Sequence, residues 1–237
     1  MLVPDLDTRL RHTEEFYQLL DRLEASLGGM RTLATAAGRL TWPTWGVYFF
    51  FEPGERRTSS GNGLRVVRIG SHALNPGEST TLWGRLRAHR GTLSGASPGG
   101  GNHRGSVFRR HVGMALMRRD QWAPAIGGRW GRGNSATKDI RDREIPLERA
   151  VSDYIGSMPF LWVGVPDRVH RGNIEGNAVA LLSNSLCQSN PIDPPSNEWL
   201  GHFAANTGVQ LSGLWNDQHT AELYAAEFLS TLEMYIP

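Results

Sequence analysis

The sequence is poor in cysteine, in lysine and in long apolar runs. Cys187 is the only cysteine among 237 residues, which excludes an intramolecular disulfide and a cysteine-built zinc site. No stretch of about 18 apolar residues occurs, so no membrane-spanning helix is expected. The first residues, Met1-Leu2-Val3-Pro4-Asp5-Leu6-Asp7, are acidic and lack the apolar core of a secretory signal. A cytoplasmic location is the simplest expectation. No internal repeat is found. The Gly99-Gly100-Gly101 loop lacks the Gly-Lys-Ser/Thr that completes a phosphate-binding P-loop. His103 and His111 have no third ligand near them in sequence, which argues against zinc.

Lys138 is the only lysine, and arginine takes its place. The net charge of +2 conceals an uneven distribution. Residues 56–143 hold 17 basic and 4 acidic side chains, a local charge of +13. Residues 1–55 carry −3 and residues 144–237 carry −8. A compositional bias toward arginine would not leave both ends acidic. A basic segment of this kind is the electrostatic footprint of a nucleic-acid binder. The guanidinium fork suits bidentate contacts to phosphate and guanine better than an ammonium does.

Two short apolar runs stand before this segment. Trp45-Gly46-Val47-Tyr48-Phe49-Phe50-Phe51 and Leu64-Arg65-Val66-Val67-Arg68-Ile69-Gly70 are aromatic and β-branched. Pro53-Gly54 and Ser59-Ser60-Gly61-Asn62-Gly63 lie between them, so they read as a hairpin. Then come Leu82-Trp83-Gly84-Arg85-Leu86-Arg87-Ala88-His89, an expected helix over 80–90, and Phe160-Leu161-Trp162-Val163-Gly164-Val165, an expected strand. A helix containing Asn173-Ile174-Glu175-Gly176-Asn177 follows.

This order resembles the GIY-YIG nuclease family over roughly residues 44–190. Gly46-Val47-Tyr48 matches the first motif. Arg68-Ile69-Gly70 matches the second in part, with Arg68 where the family usually has tyrosine. The resemblance implies an α/β fold: a small three-stranded, mostly antiparallel sheet flanked by helices. It places the nuclease core at 41–190, with an Arg-rich insertion at about 91–143. Helical additions are expected at 1–40 and 191–237.

The resemblance also implies the chemistry. Phosphodiester hydrolysis needs an aligned water, relief of its proton and stabilisation of charge on phosphate. Glu175 is the implied ligand of a Mg²⁺ or Mn²⁺ ion, since hard cations take carboxylate oxygens and keep water. Tyr48 is the implied base or water-orienting group, although an ordinary phenol is a poor base at neutral pH. Arg85 is the implied phosphate clamp, and His89, four residues on and on the same helix face, a relay or phosphate contact. Arg68 cannot act as a base because it stays charged, so a phosphate contact is its expected role. His72 has a near-neutral ordinary pKa and could take over proton handling. Arg87 is expected to touch the backbone, and Asn184, at the expected end of the Glu175 helix, to bind substrate or cap the helix. Arg104, Arg109 and Arg110 are expected to contact nucleic acid from the insertion.

The remaining chain reads as helices over 13–28, 106–118, 147–157 and 220–235, a short capped helix at 196–201, and exposed loops at 95–105 and 127–143. The expected function is a metal-dependent endonuclease of restriction or defence type, acting on double-stranded DNA. A homodimer would suit a palindromic target, and the resemblance implies a companion DNA methyltransferase. The alternatives are a non-catalytic DNA-binding protein of the same fold, which Arg68 favours, and an RNA-directed nuclease or binder.

Overall fold

A computed structural model describes residues 5–75, 77–92, 100–123, 126 and 128–237. Helix α1 (Leu6–Leu27) is followed by a two-residue strand β1 (Arg31–Thr32) and by the hairpin strands β2 (Gly46–Arg56) and β3 (Leu64–Gly70). Helices α2 (Leu82–Arg90), α3 (Val107–Arg119) and α4 (Lys138–Ser157) lead to strand β4 (Pro159–Gly164). Helices α5 (Arg168–Leu182), α6 (Thr207–Ser212) and α7 (Phe228–Glu233) complete the described elements. The fold is α/β. Its strands form one open antiparallel sheet in the order β1-β4-β2-β3. The expected three strands are present, and β1 adds a fourth that is too short to carry a periodic signal.

Alternation along β2 divides the core in two. Val47, Phe49 and Phe51 point to one face, where they meet Phe16 and Leu20 of α1, Ile174 and Ala178 of α5, and Phe228 of α7. Tyr48 and Phe50 point to the other, against Leu82 and Leu86 of α2, Phe108 and Val112 of α3, and Leu147 and Val151 of α4. A strand covered on both faces has no polar side, which is why its sequence is a near-continuous apolar run. The Arg-rich insertion therefore contributes to the core as well as to the surface.

Strand β3 lies at the edge of the sheet, yet its outer backbone groups are not bare. The Trp215 N–H donates to the Val67 carbonyl at 2.7 Å. The Asn216 side-chain amide accepts from the Ile69 N–H (3.1 Å) and donates to the Ile69 carbonyl (2.9 Å).

Several helix ends differ from expectation for physical reasons. Helix α1 starts at Leu6, capped by the Asp5 carboxylate accepting from the Thr8 N–H. Thr13, the expected start, lies inside the helix and bonds the Arg9 carbonyl. The apolar periodicity is hidden there by Arg9, which is buried and donates to the carbonyls of Leu181 and Ser183. Helix α4 starts at Lys138, not at 147, so residues 138–143 of the expected loop are helical. The pairs Lys138–Asp142 and Asp139–Arg143, each four apart, support this polar first stretch. Pro146 sits within the helix. At the C-terminus only Phe228–Glu233 is helical within 220–235. The Ala225 N–H is taken by the Asn177 side chain of α5 and the Thr220 carbonyl by the hydroxyl of Ser183, the residue that caps α5, so neither serves a local helix. The short helix expected at 196–201 is a 3-10 turn at Leu200–Phe203. The expected loop at 95–105 falls partly outside the described residues.

No helix among the described residues is long and apolar enough to cross a membrane.

Candidate active site

Two glycines let a tyrosine reach across the sheet. Tyr48 on β2 lies opposite Gly70 on β3 and Trp162 on β4. A Cβ on Gly70 would overlap the Tyr48 phenol, so only glycine lets that ring lie across the edge strand. A Cβ on Gly46 would overlap the Val163 carbonyl, so glycine also keeps the start of β2 close to β4. Tyr48 is fully buried.

The phenol oxygen of Tyr48 is 2.7 Å from Nε2 of His89, on the last turn of α2. Nδ1 of His89 is 2.8 Å from the Ser106 hydroxyl, which caps α3 and accepts from the Arg109 N–H at 3.2 Å. His89 is itself fully buried. Burial, reinforced by the charges of Arg85, Arg68 and Arg109, holds its pKa well below the ordinary histidine value. The imidazole is therefore neutral at physiological pH.

Arg85 lies one turn before His89, half-buried, and donates to the Gly105 carbonyl at 3.3 Å. It lines a groove of about 150 Å³ with Arg104, Ser106, Arg110, Gly131 and Asn134. Glu175 comes to the sheet from the opposite face, on α5, and accepts from the hydroxyl of Ser71, the residue after Gly70. The phenol and the carboxylate thus approach consecutive positions at the end of one edge strand.

His72 follows immediately. Its Nε2 faces the Thr44 carbonyl at 3.2 Å and so donates to it, while Nδ1 is buried without a partner. Burial lowers its pKa against the pull of that carbonyl, and Arg171 and Arg85 lower it further.

A family model described as GIY-YIG domain matches residues 7–237. The chain belongs to the GIY-YIG nuclease family. No curated protein and no solved structure matches it.

The GIY-YIG match includes α1 and the C-terminal segments, which pack on the same sheet as the motif strands. It also gives the motif glycines a physical meaning, since a side chain at Gly46 or at Gly70 would overlap a neighbour. Arg68, in the place of the usual tyrosine, shares the Tyr48 face, being paired with Phe50. It donates to the Trp215 carbonyl at 2.7 Å and lies 5.6 Å from the Phe108 ring centre. Its guanidinium is buried, so the phosphate contact expected of it has no exposed group to make it.

The insertion arginines divide. Arg109 is fully buried, bound to the Glu148 carboxylate and to the carbonyls of His89 and Glu148. It is a packed ion pair and cannot serve the DNA contact expected of it. Glu148 also accepts from the His103 backbone and ring. The Glu148 carboxyl sits below its usual pKa: burial pushes it up, and His103 and Arg109 outweigh that. Arg104 holds Glu144 in a two-pronged pair. Arg110 is 38% exposed, with Asp217 at 3.8 Å. Arg87 is exposed on α2. Asn184 is buried, its amide spent on the Ile192 backbone and on Arg9, so it is a structural cage and not an open substrate contact.

Ser71, Ser106 and Thr44 are the site neighbours that motif reasoning passed over. Ser106 carried a usable signal, because it precedes an expected helix and serine is a favoured cap. Ser71 and Thr44 have no signature in one dimension.

Among the described residues no three His, Cys, Asp or Glu side chains gather as a metal cage. A hard divalent cation that keeps its waters needs only one or two carboxylates. Glu175 fits that requirement: Ser71 holds one of its oxygens, and the other accepts no hydrogen bond among the described residues.

Proposed function

We propose that the protein is a divalent-metal-dependent endonuclease that hydrolyses DNA phosphodiester bonds, of restriction or defence type. The observation that carries this reading is the approach of the Tyr48–His89 pair and Glu175 to the adjacent residues Gly70 and Ser71, with Arg85 one turn from His89. Hydrolysis forms a bond from water oxygen to phosphorus as the bond to the leaving alcohol breaks. Arg85 stabilises the charge on the phosphate oxygens, as a fixed guanidinium does best in a partly dehydrated site. Glu175 would hold a Mg²⁺ or Mn²⁺ ion, which would supply charge neutralisation at the scissile phosphate. Tyr48, backed by neutral His89, orients the water. His72, two residues after Gly70 and with an unpartnered Nδ1, is the candidate base. Arg110 and Arg87 guide the duplex electrostatically.

The test is plasmid cleavage in Mg²⁺ against EDTA, with Glu175→Ala alongside. Cutting is lost in both the chelated and the mutant reactions, while DNA affinity of the mutant stays within a few fold. Substantial cutting by Glu175→Ala removes that carboxylate from the reaction. One second reading has specific support, a DNA-binding protein that does not cut. Tyr48 has no exposed surface and Arg68 occupies the place of the second tyrosine. Retained binding without cutting at high protein in Mg²⁺ and in Mn²⁺ selects it.

A further inference from the structure

We infer that residues 129–134 form a second DNA-contacting wall beside Arg85, and that His103 is the positioning residue that pins this wall in place. This deepens the nuclease reading and rests on it for the identity of the ligand, though not for the pinning itself.

Gly131, Gly133 and Asn134 line the same groove as Arg85 and Arg110. Arg129, Arg132 and Asn134 are exposed, and among the described residues their side chains have no hydrogen-bond or ion-pair partner. Neighbouring arginines are spent inside the protein: Arg104 on Glu144, Arg109 on Glu148, Arg118 on the Ala204 carbonyl and Arg119 on Asp120. No acidic residue occurs between Asp120 and Asp139. Two unneutralised guanidiniums and an amide beside the Arg85 groove suit a polyanionic backbone, which arginine and asparagine side chains commonly contact.

The wall is held from beneath. Trp130 is buried, and its ring lies over Gly113 of α3, where any Cβ would overlap it. Its Nε1 donates to the Arg110 carbonyl at 3.0 Å. The His103 ring stacks on Trp130, with centres 3.8 Å apart and planes 19° from parallel. The Gly131 N–H then donates to Nε2 of His103 at 3.1 Å. This bond has one direction, because a backbone N–H only donates, so Nε2 carries no hydrogen. Nδ1 carries it instead and donates to the Glu148 carboxylate at 3.0 Å. Glu148 on α4 also holds Arg109 of α3. His103 thus ties a buried ion pair between two helices to a glycine-rich surface turn. Gly131 and Gly133 have φ of 76° and 67°, and free glycines would visit many other shapes. A wall fixed in advance loses less conformational entropy when DNA binds.

The pinning is read first without DNA, by amide hydrogen exchange of the full chain followed by NMR. The Gly131 N–H is expected to be protected in the parent protein. His103→Phe keeps a ring for the stack but removes the acceptor, and should lose that protection. His103→Gln returns an acceptor and should regain part of it. An unprotected Gly131 N–H in the parent overturns the inference, whatever the protein does to DNA. Binding is then measured with a labelled mixed-sequence DNA duplex in EDTA over a salt series. The double variant Arg129→Ala, Arg132→Ala should lower the salt slope by about 2, and in plasmid cleavage should raise KM more than it lowers turnover. His103→Phe should weaken binding without removing a charge, and His103→Gln should weaken it less. An unchanged slope in the folded double variant overturns the DNA-contacting wall. Equal binding by His103→Phe and the parent overturns the positioning role. The expected slope change without any cutting in Mg²⁺ sinks the enzyme reading alone, and a parent that binds no duplex sinks both.

Discussion

The two faces of the sheet are built differently. The face under α1, α5 and α7 is closed mainly by Phe16, Leu20, Phe49, Ile174 and Phe228. The face under α2, α3 and α4 is also closed by a large apolar cluster, but beside it lie His89, Ser106, Arg109 and Glu148, and within it Tyr48. Apolar burial is forgiving of direction, and a swap of similar volume is tolerated. Buried polar groups have fixed partners, and removing one partner strands the other. The contrast teaches that one face is held mainly by apolar packing, with Arg9 at its border, while the other also fixes the orientation of buried polar groups.

The largest test of this difference compares Glu148→Ala with Phe49→Ala by urea denaturation. Both should cost about 3–5 kcal/mol, the first by stranding a buried guanidinium and the second by opening a cavity. They should part in repair. Adding Arg109→Met to Glu148→Ala should recover much of the loss, because an apolar side chain has no charge to strand. The same Arg109→Met change on the Phe49→Ala background should recover nothing. Equal behaviour of the two backgrounds would erase the distinction between the faces.

A smaller effect separates the faces by pH. His89 and His72 have folded pKa values below the ordinary value of about 6.5. Below that pH the unfolded chain binds more protons than the folded one, so stability falls as pH drops from 7 toward 5. His89→Gln should flatten the slope of unfolding free energy against pH over that window. An unaltered slope would mean that His89 is not held neutral by its surroundings.

The smallest expected effect concerns the surface. Arg110→Ala should weaken DNA binding and lower the salt slope by about 1, with little change in stability. Replacing buried Arg109 instead should unfold the protein before it alters any salt slope. A loss of salt slope in a folded Arg109 variant would show that its guanidinium reaches the polyanion after all.

Much of the frame was legible in one dimension. The hairpin, the strand at 160–165 and the helix carrying Arg85 and His89 follow from period and punctuation. Gly28, with φ 71°, ends α1 where the sequence places the stop. What escaped was set by contacts between distant residues. Arg9 disguises the start of α1 because its charge is met by carbonyls at the far end of α5. Arg109 looks like a DNA contact until Glu148, on another helix, is seen beside it. The motif order brought Tyr48, Arg85, His89 and Glu175 forward together. The hydroxyls that hold them, Ser71 and Ser106, belong to no motif and become visible only when the chain is folded.

The strip formed by Trp215 and Asn216 along β3 has a consequence for assembly. With that border occupied and the opposite one ending in a strand of two residues, neither side offers a long template for another chain to zip onto. Two copies meeting on a symmetric target would have to join through helices or loops, and the sheet would stay internal to each copy.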